Sequence, residues 1–236
     1  GPRRASDMSL LEFARGPALQ WAITIFIIGT LWRLLGVFLL RTKKDLSEPR
    51  NRAAWKGLRL IGLRSWPRRE FLEGTAFGEV MGYAFHVGFL VSLFFFTPHV
   101  LFFADVAQGL LGTDLTGLIG IGWPTLPNGI ITFLSAVSIA ALLAVLIHRL
   151  VSPVKRLISN FDDYFSWFVT VTPLATGMAA FAHLGGYPYE RLLAFHLLSV
   201  ELLLVWFPFG KLMHAFTIFA ARGATGMIFE RRGASL

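Results

Sequence analysis

Five stretches of this 236-residue chain are apolar over roughly the length of a bilayer crossing, which limits the fold severely. Backbone polar groups in hydrocarbon must be satisfied inside the segment itself, so such stretches become helices. They run from Pro17 to Leu40, Val80 to Ala104, Gly129 to Ile147, Tyr164 to Ala182 and Leu192 to Gly210, the last continuing past its proline toward Arg222. Charged residues make up 15% of the chain, against about 25% in ordinary soluble domains. The expected fold class is an all-α integral membrane protein, a five-transmembrane-helix bundle at residues 17–222. The first stretch is too long for a cleaved signal and no small-residue cleavage site follows it, so it reads as a retained helix.

The loops set the expected orientation. Between Arg41 and Glu70 ten Lys or Arg residues face three acids, and the link from His148 to Asp163 carries Arg149, Lys155 and Arg156. Both belong in the cytoplasm by the positive-inside bias. The links Asp105–Asn128 and His183–Glu190 contain no Lys or Arg and face outward. The N-terminus is then outside and the C-terminus cytoplasmic, with a basic interfacial loop at 41–75, a cytoplasmic tail at 223–236, and a multi-pass location in the inner (cytoplasmic) membrane. Arg3, Arg4 and Arg15 oppose this weakly. Topology also accounts for the net charge of +8, and no nucleic-acid motif accompanies the basic residues. Within 41–70, Trp55, Leu58, Leu60, Ile61, Leu63 and Trp66 alternate with arginines, as in a helix lying at the interface. That segment suits a lipid-surface anchor or a docking site for a cytoplasmic subunit. In the outer link Trp123–Asn128, two prolines predict irregular backbone and Asn128 is placed to cap the next helix.

Ionisable side chains are costly in hydrocarbon, yet His86 and His99 lie in the second stretch and His196 and His214 in the last. The 18 residues between His196 and His214 are five turns of an uninterrupted helix and would set both on one face. Haem iron is the expected partner. The topology places His86 and His214 toward the cytoplasm and His99 and His196 toward the outside, which predicts an inner haem (His86/His214) and an outer one (His99/His196). The chain has no cysteine, which excludes thiolate-held iron–sulfur clusters and covalent haem attachment, so the haems are b-type. His99 is off the face that carries His86, and a kink at Pro98 is the expected remedy. His148 and His183 end their stretches beside loops; His183, at the outer end, is the candidate for accepting protons from a quinol.

The segment His196-Leu-Leu-Ser-Val-Glu-Leu-Leu-Leu-Val-Trp-Phe-Pro208-Phe-Gly-Lys-Leu-Met-His214 resembles the last helix of the membrane gamma subunit of respiratory nitrate reductases. Phe85-His86-Val-Gly is similar to the start of its second helix. Gamma-like cytochromes also accompany sulfite-reductase and heterodisulfide-reductase type iron–sulfur proteins, and Asp162-Asp163-Tyr164 preceded by Ser159 resembles that broader group. The resemblance covers Pro17 to about Gly233. It implies two bis-histidine haems b, quinol as substrate, and electron transfer to a cytoplasmic iron–sulfur or redox partner. The family's other second-helix ligand falls on Phe96 here, so His99 takes its place.

Bis-histidine iron has no open position, which suits electron transfer and not substrate chemistry at the metal. The expected role is the quinol-oxidising or quinone-reducing subunit of an oxidoreductase complex. Anionic haem propionates want basic neighbours, and Lys211 and Arg149 are the leading candidates, with Lys155, Arg156 and Arg191 behind them. Glu201 is an intramembrane carboxylate and a candidate for a proton path. The competing expectation is a haem-free membrane anchor, or a small transporter whose histidines bind protons or metal.

Overall fold

A computed structural model describes residues 9–39, 48–51, 54–65, 72–112 and 122–234. Among these residues the secondary structure is entirely helical. Helix α1 covers Leu10–Leu39. It opens with a capping box, in which the Ser9 hydroxyl and the Glu12 carboxylate each accept the other's backbone N–H, and widens into a π-turn at Ala14–Ala18 around Pro17. A 3-10 segment, Ala54–Arg59, leads into the short α2, Leu60–Leu63. Then come α3 (Leu72–Phe95), α4 (Thr97–Leu111), α5 (Asn128–Val151), α6 (Pro153–Leu157), α7 (Phe161–Phe181), α8 (Tyr189–Trp206) and α9 (His214–Arg232). Among the described residues, four segments are long and apolar enough to cross a membrane: Leu10–Leu39, Glu73–Phe95, Asn128–Val151 and Lys211–Arg232.

Two expected helices are interrupted. The stretch from Val80 to Ala104 is not one kinked helix: Phe96 is extended (φ −77°, ψ 125°) and α4 starts afresh at Thr97 with Pro98 in its first turn. Proline lacks only an N–H that is orphaned there anyway, so it favours a new start over continuation. The last stretch breaks after Trp206. Residues 207–210 form a turn, Gly210 is extended (ψ −176°), and a 3-10 turn at Lys211–Met213 precedes α9. The five-turn, one-face relation between His196 and His214 therefore does not hold, because periodicity carries over only along continuous helix.

The chain forms two compact units. One takes its described residues from Gly1–Ala76, Asn160–Val169 and Ala194–Leu236. Here Pro208, fully buried, fills the space above Gly29, where a Cβ would lie 2.6 Å from its Cγ. Phe26, Phe207 and Phe216 pack around it with ring centroids 5.3–6.3 Å apart. On another side Gly57 and Gly226 meet backbone to backbone, and Leu58 and Ile61 lie over Gly223. Arg50 N–H donates to the Arg231 carbonyl (2.9 Å), and Glu230 accepts from Asn51 (2.7 Å) and pairs with Arg59 (3.7 Å). The described part of the basic loop thus lies along α9.

The other unit spans Phe77–Ser159 and Thr170–Leu193. Gly88 lets α3 approach α5 closely enough that an added Cβ would strike Ser138 and the Leu134 carbonyl. Beside this contact the buried Ser92 and Ser135 hydroxyls are 2.8 Å apart, and Ser138 Oγ reaches the Phe85 and Leu134 carbonyls at 3.2 and 2.9 Å. Buried hydroxyls in such a seam are satisfied across or along the helices, as lipid-exposed segments require. The link at Trp123–Asn128 closes over the end of α3 through two hydrogen bonds, from Trp123 Nε1 to the Phe94 carbonyl (2.7 Å) and from Leu126 N–H to the Phe95 carbonyl (2.9 Å). The break leaves both carbonyls without intrahelical partners. Asn128 does not cap α5 as expected; Pro127 occupies the N-cap position and no side chain caps.

Candidate functional site

His86 lies on α3, and its Nδ1 is 2.7 Å from the Gly82 carbonyl one turn earlier. His214, the first residue of α9, has Nδ1 2.8 Å from the Lys211 carbonyl. His99, in the first turn of α4, has Nδ1 3.0 Å from the Ser92 carbonyl. A carbonyl oxygen can only accept, so each Nδ1 carries the proton and the neutral ring keeps its lone pair on Nε2. This is the tautomer that a metal-ligating histidine adopts when a backbone carbonyl orients it. The helix breaks make two of these contacts possible. The turn of 3-10 helix before α9 brings the Lys211 carbonyl within reach of His214, and the break at Phe96 lets His99 reach back seven residues to Ser92.

His148 has the opposite arrangement. Its Nδ1 is 3.1 Å from Lys155 Nζ, and an ammonium can only donate, so Nδ1 is the acceptor and the proton of the neutral ring sits on Nε2. Its ring meets Phe77 edge-on at 4.5 Å. His183 is exposed, lies in the left-handed region (φ 51°, ψ 42°) just beyond α7, and stacks on Tyr189 with centroids 5.4 Å apart. That conformation ends a helix and is uncommon outside glycine. His196 is partly buried on α8, and its carbonyl accepts from Ser199 Oγ at 2.7 Å.

His86 and His99 belong to one compact unit and His196 and His214 to the other. Among the described residues, no three His, Asp or Glu side chains gather into a metal-sized group. A haem takes two protein ligands per iron and does not call for such a group. Phe96, where the gamma-subunit pattern carries a ligand, instead packs edge-on against His99 (5.2 Å, 90°) and against Phe181 (5.6 Å).

The approach to His214 is held by a network that sequence reasoning missed. Asp162 Oδ1 accepts from the Lys211 backbone N–H (3.1 Å) and from Ser166 Oγ (2.6 Å), which in turn accepts from Trp206 Nε1 (2.9 Å). Asp163 pairs with Lys211 Nζ at 2.6 Å and, with Asn160, exchanges reciprocal caps at the start of α7 (3.0 and 3.3 Å). Lys211, expected beside a propionate, is therefore already engaged by a carboxylate. Arg149 donates to Ser159 Oγ (2.8 Å) and so ties the end of α5 to the link before α7. The signal for the network was present as acids in the first turn of α7 and a Pro-Phe-Gly break ahead of Lys211. Glu201 is buried on α8 with 5% exposure, and its Oε1 has no hydrogen-bond partner among the described residues.

A protein of Nitratidesulfovibrio vulgaris (strain Hildenborough), called simply "Protein", is 26% identical to this chain over 96% of its length and 97% of the relative's. No protein-family model matches the chain, and no solved structure matches it.

Proposed function

We propose that this chain is a b-type cytochrome subunit of a membrane oxidoreductase, passing electrons between the quinone pool and a cytoplasmic iron–sulfur or redox partner through two bis-histidine haems. The observation that carries this reading is the shared state of His86, His99 and His214: in each, a backbone carbonyl holds the proton on Nδ1 and leaves Nε2 as the lone-pair nitrogen. His148 differs from these three, and it is a histidine that the sequence pattern does not require as a ligand. The ligand pairs are those of the topology, His86 with His214 and His99 with His196. Bound haem would supply reversible one-electron chemistry, tuned by these ligands and their hydrogen bonds. The chain's own contribution is to orient the imidazoles and keep the inner and outer ligands on separate helical segments.

In this arrangement the chain crosses the membrane five times, through α1, α3–α4, α5, α7 and α8. Although Lys211–Arg232 is apolar enough to span, the basic segment is packed along it through Arg50, Gly57, Arg59 and Ser65. Arginines at the bilayer centre cost about 2.5–3.5 kcal/mol each even on the lenient insertion scale. Helix α9 with its basic companion therefore belongs at the cytoplasmic surface, in keeping with the positive-inside orientation.

The test is a reduced-minus-oxidised spectrum and a pyridine haemochrome assay of protein purified from membranes. Two haems b per chain are expected, one lost with His86→Met or His214→Met and the other with His99→Met or His196→Met. Colourless protein that takes up no haem on reconstitution would refute the proposal. It would favour a haem-free, proton-handling subunit, for which the buried, unpaired Glu201 oxygen is the supporting observation.

A further inference from the structure

A cleft of about 340 Å³ opens between α2 and α9, lined by Leu60, Arg64, Ala221, Arg222, Thr225 and Phe229. Two of its six lining residues are arginines and none is acidic. Two other cations of the same unit have carboxylate partners: Arg59 pairs with Glu230 and Lys211 with Asp163. Arg64 and Arg222 have none among the described residues. Arg222 is fixed in place by donating Nη1 to Ser65 Oγ at 3.0 Å, while that hydroxyl donates to the Ile61 carbonyl at 2.8 Å. One guanidinium donor is thus spent on orientation, and the others stay available for an oxyanion.

The rest of the cleft is not built for a free ion. Leu60, Ala221 and Phe229 make its walls apolar, with Leu60 buried beneath. The segment that forms one side exposes Trp55 (67%), Leu58 (46%) and Leu63 (53%), the mixture of tryptophan, leucine and arginine that settles at a lipid headgroup layer. We propose that the cleft binds the phosphate headgroup of an anionic membrane phospholipid, with Arg64 and Arg222 contacting the phosphate and Leu60 and Phe229 the glycerol and first acyl carbons. The proposal rests on the placement of α9 at the cytoplasmic surface and is independent of the haem assignment.

Delipidated full-length protein in neutral detergent, titrated with dioctanoyl phosphatidylglycerol or dioctanoyl phosphatidylcholine and read by native mass spectrometry, tests it. One phosphatidylglycerol should be retained in preference to phosphatidylcholine. Each arginine near an anionic headgroup contributes about fivefold in affinity, so Arg64→Gln should lower the preference about fivefold and Arg64→Gln/Arg222→Gln about 25-fold. Arg64→Lys/Arg222→Lys should keep most of it. Arg64 has no side-chain hydrogen bond or ion pair among the described residues, so Arg64→Gln reports on binding even if Arg222 variants fold poorly. An unchanged preference in Arg64→Gln would overturn the proposal. Displacement of phosphatidylglycerol by equimolar inorganic phosphate would overturn the lipid assignment in favour of a free-phosphate site. The haem spectrum of the same samples reports separately on the cytochrome reading.

Discussion

Replacing Asp162 by alanine removes the acceptor that joins α7 to the break between α8 and α9. In the structure one carboxylate oxygen receives both the Lys211 backbone N–H at 3.1 Å and the Ser166 hydroxyl at 2.6 Å, and Ser166 passes the connection to the Trp206 indole at 2.9 Å. Hydrogen bonds to a charged group contribute about 1.5–3 kcal/mol each. The two share an acceptor and are coupled, so the lower end is appropriate and the loss comes to about 3 kcal/mol. Asp163→Ala breaks an ion pair whose lysine is half exposed, with a side-chain exposure of 51%, and that pair is worth about 1 kcal/mol after solvent screening. By the scaling of globular domains of this size, about 2–4 °C per kcal/mol, Asp162→Ala should lower Tm by roughly 6–12 °C. Asp162→Asn keeps a neutral acceptor and should recover about half of that. The assay is thermal unfolding in detergent followed by tryptophan fluorescence, since Trp206 ends the chain of contacts. On the proposed haem assignment, the same variant should lose haem from the His214 site before the His99/His196 site, because the Lys211 carbonyl that orients His214 moves with its backbone. A Tm change below about 2 °C with full haem content would show that the network does not hold the break.

Other outcomes follow from contacts elsewhere. Gly226→Ala sets a methyl group against the Gly57 carbonyl, which is backbone and cannot swing aside; overpacking of this kind costs about 1–3 kcal/mol or more, and trypsin should then cut faster at Lys56 and Arg59. Trp123→Phe leaves the Phe94 carbonyl without its indole donor, a loss of about 1–2 kcal/mol that should appear as a lower Tm and faster amide exchange in residues 122–127. Gly88→Ala forces α3 away from Ser138 and Leu134 and should destabilise by about 1–3 kcal/mol, while Gly82→Ala, with open space around it, should change Tm little.

Hydropathy made the helices themselves legible, because a run of apolar residues in lipid has few alternatives. It did not reveal where helices stop, since Phe96 and Phe207 are as apolar as their neighbours and the breaks depend on backbone geometry around Pro98 and Pro208. Those prolines were visible, but a proline permits either a kink or a new start. The choice here follows from partners remote in sequence: Trp123 and Leu126 for the first break, Asp162 and Ser166 for the second. The histidines stood out in the sequence as ionisable groups in apolar stretches, yet the proton positions on their rings did not, because for His99 and His214 those depend on which carbonyl each break brings near. The engagement of Lys211 was hidden for the same reason, as its charge is matched by Asp163, far back in the chain at the start of α7. The Gly57–Gly226 contact likewise joins residues that no local pattern relates.

That contact also bears on how the protein is made. The segment at Ala54–Leu63 is synthesised about 160 residues ahead of its seat, Gly223 and Gly226 on α9. While those intervening residues are made, the segment's apolar residues have no α9 to cover them, and units that pair segments distant in sequence are exposed to misassembly in that interval. A chain truncated a few residues before Gly223 would leave the segment undocked, which makes the arrival of α9 the event that closes this half of the molecule.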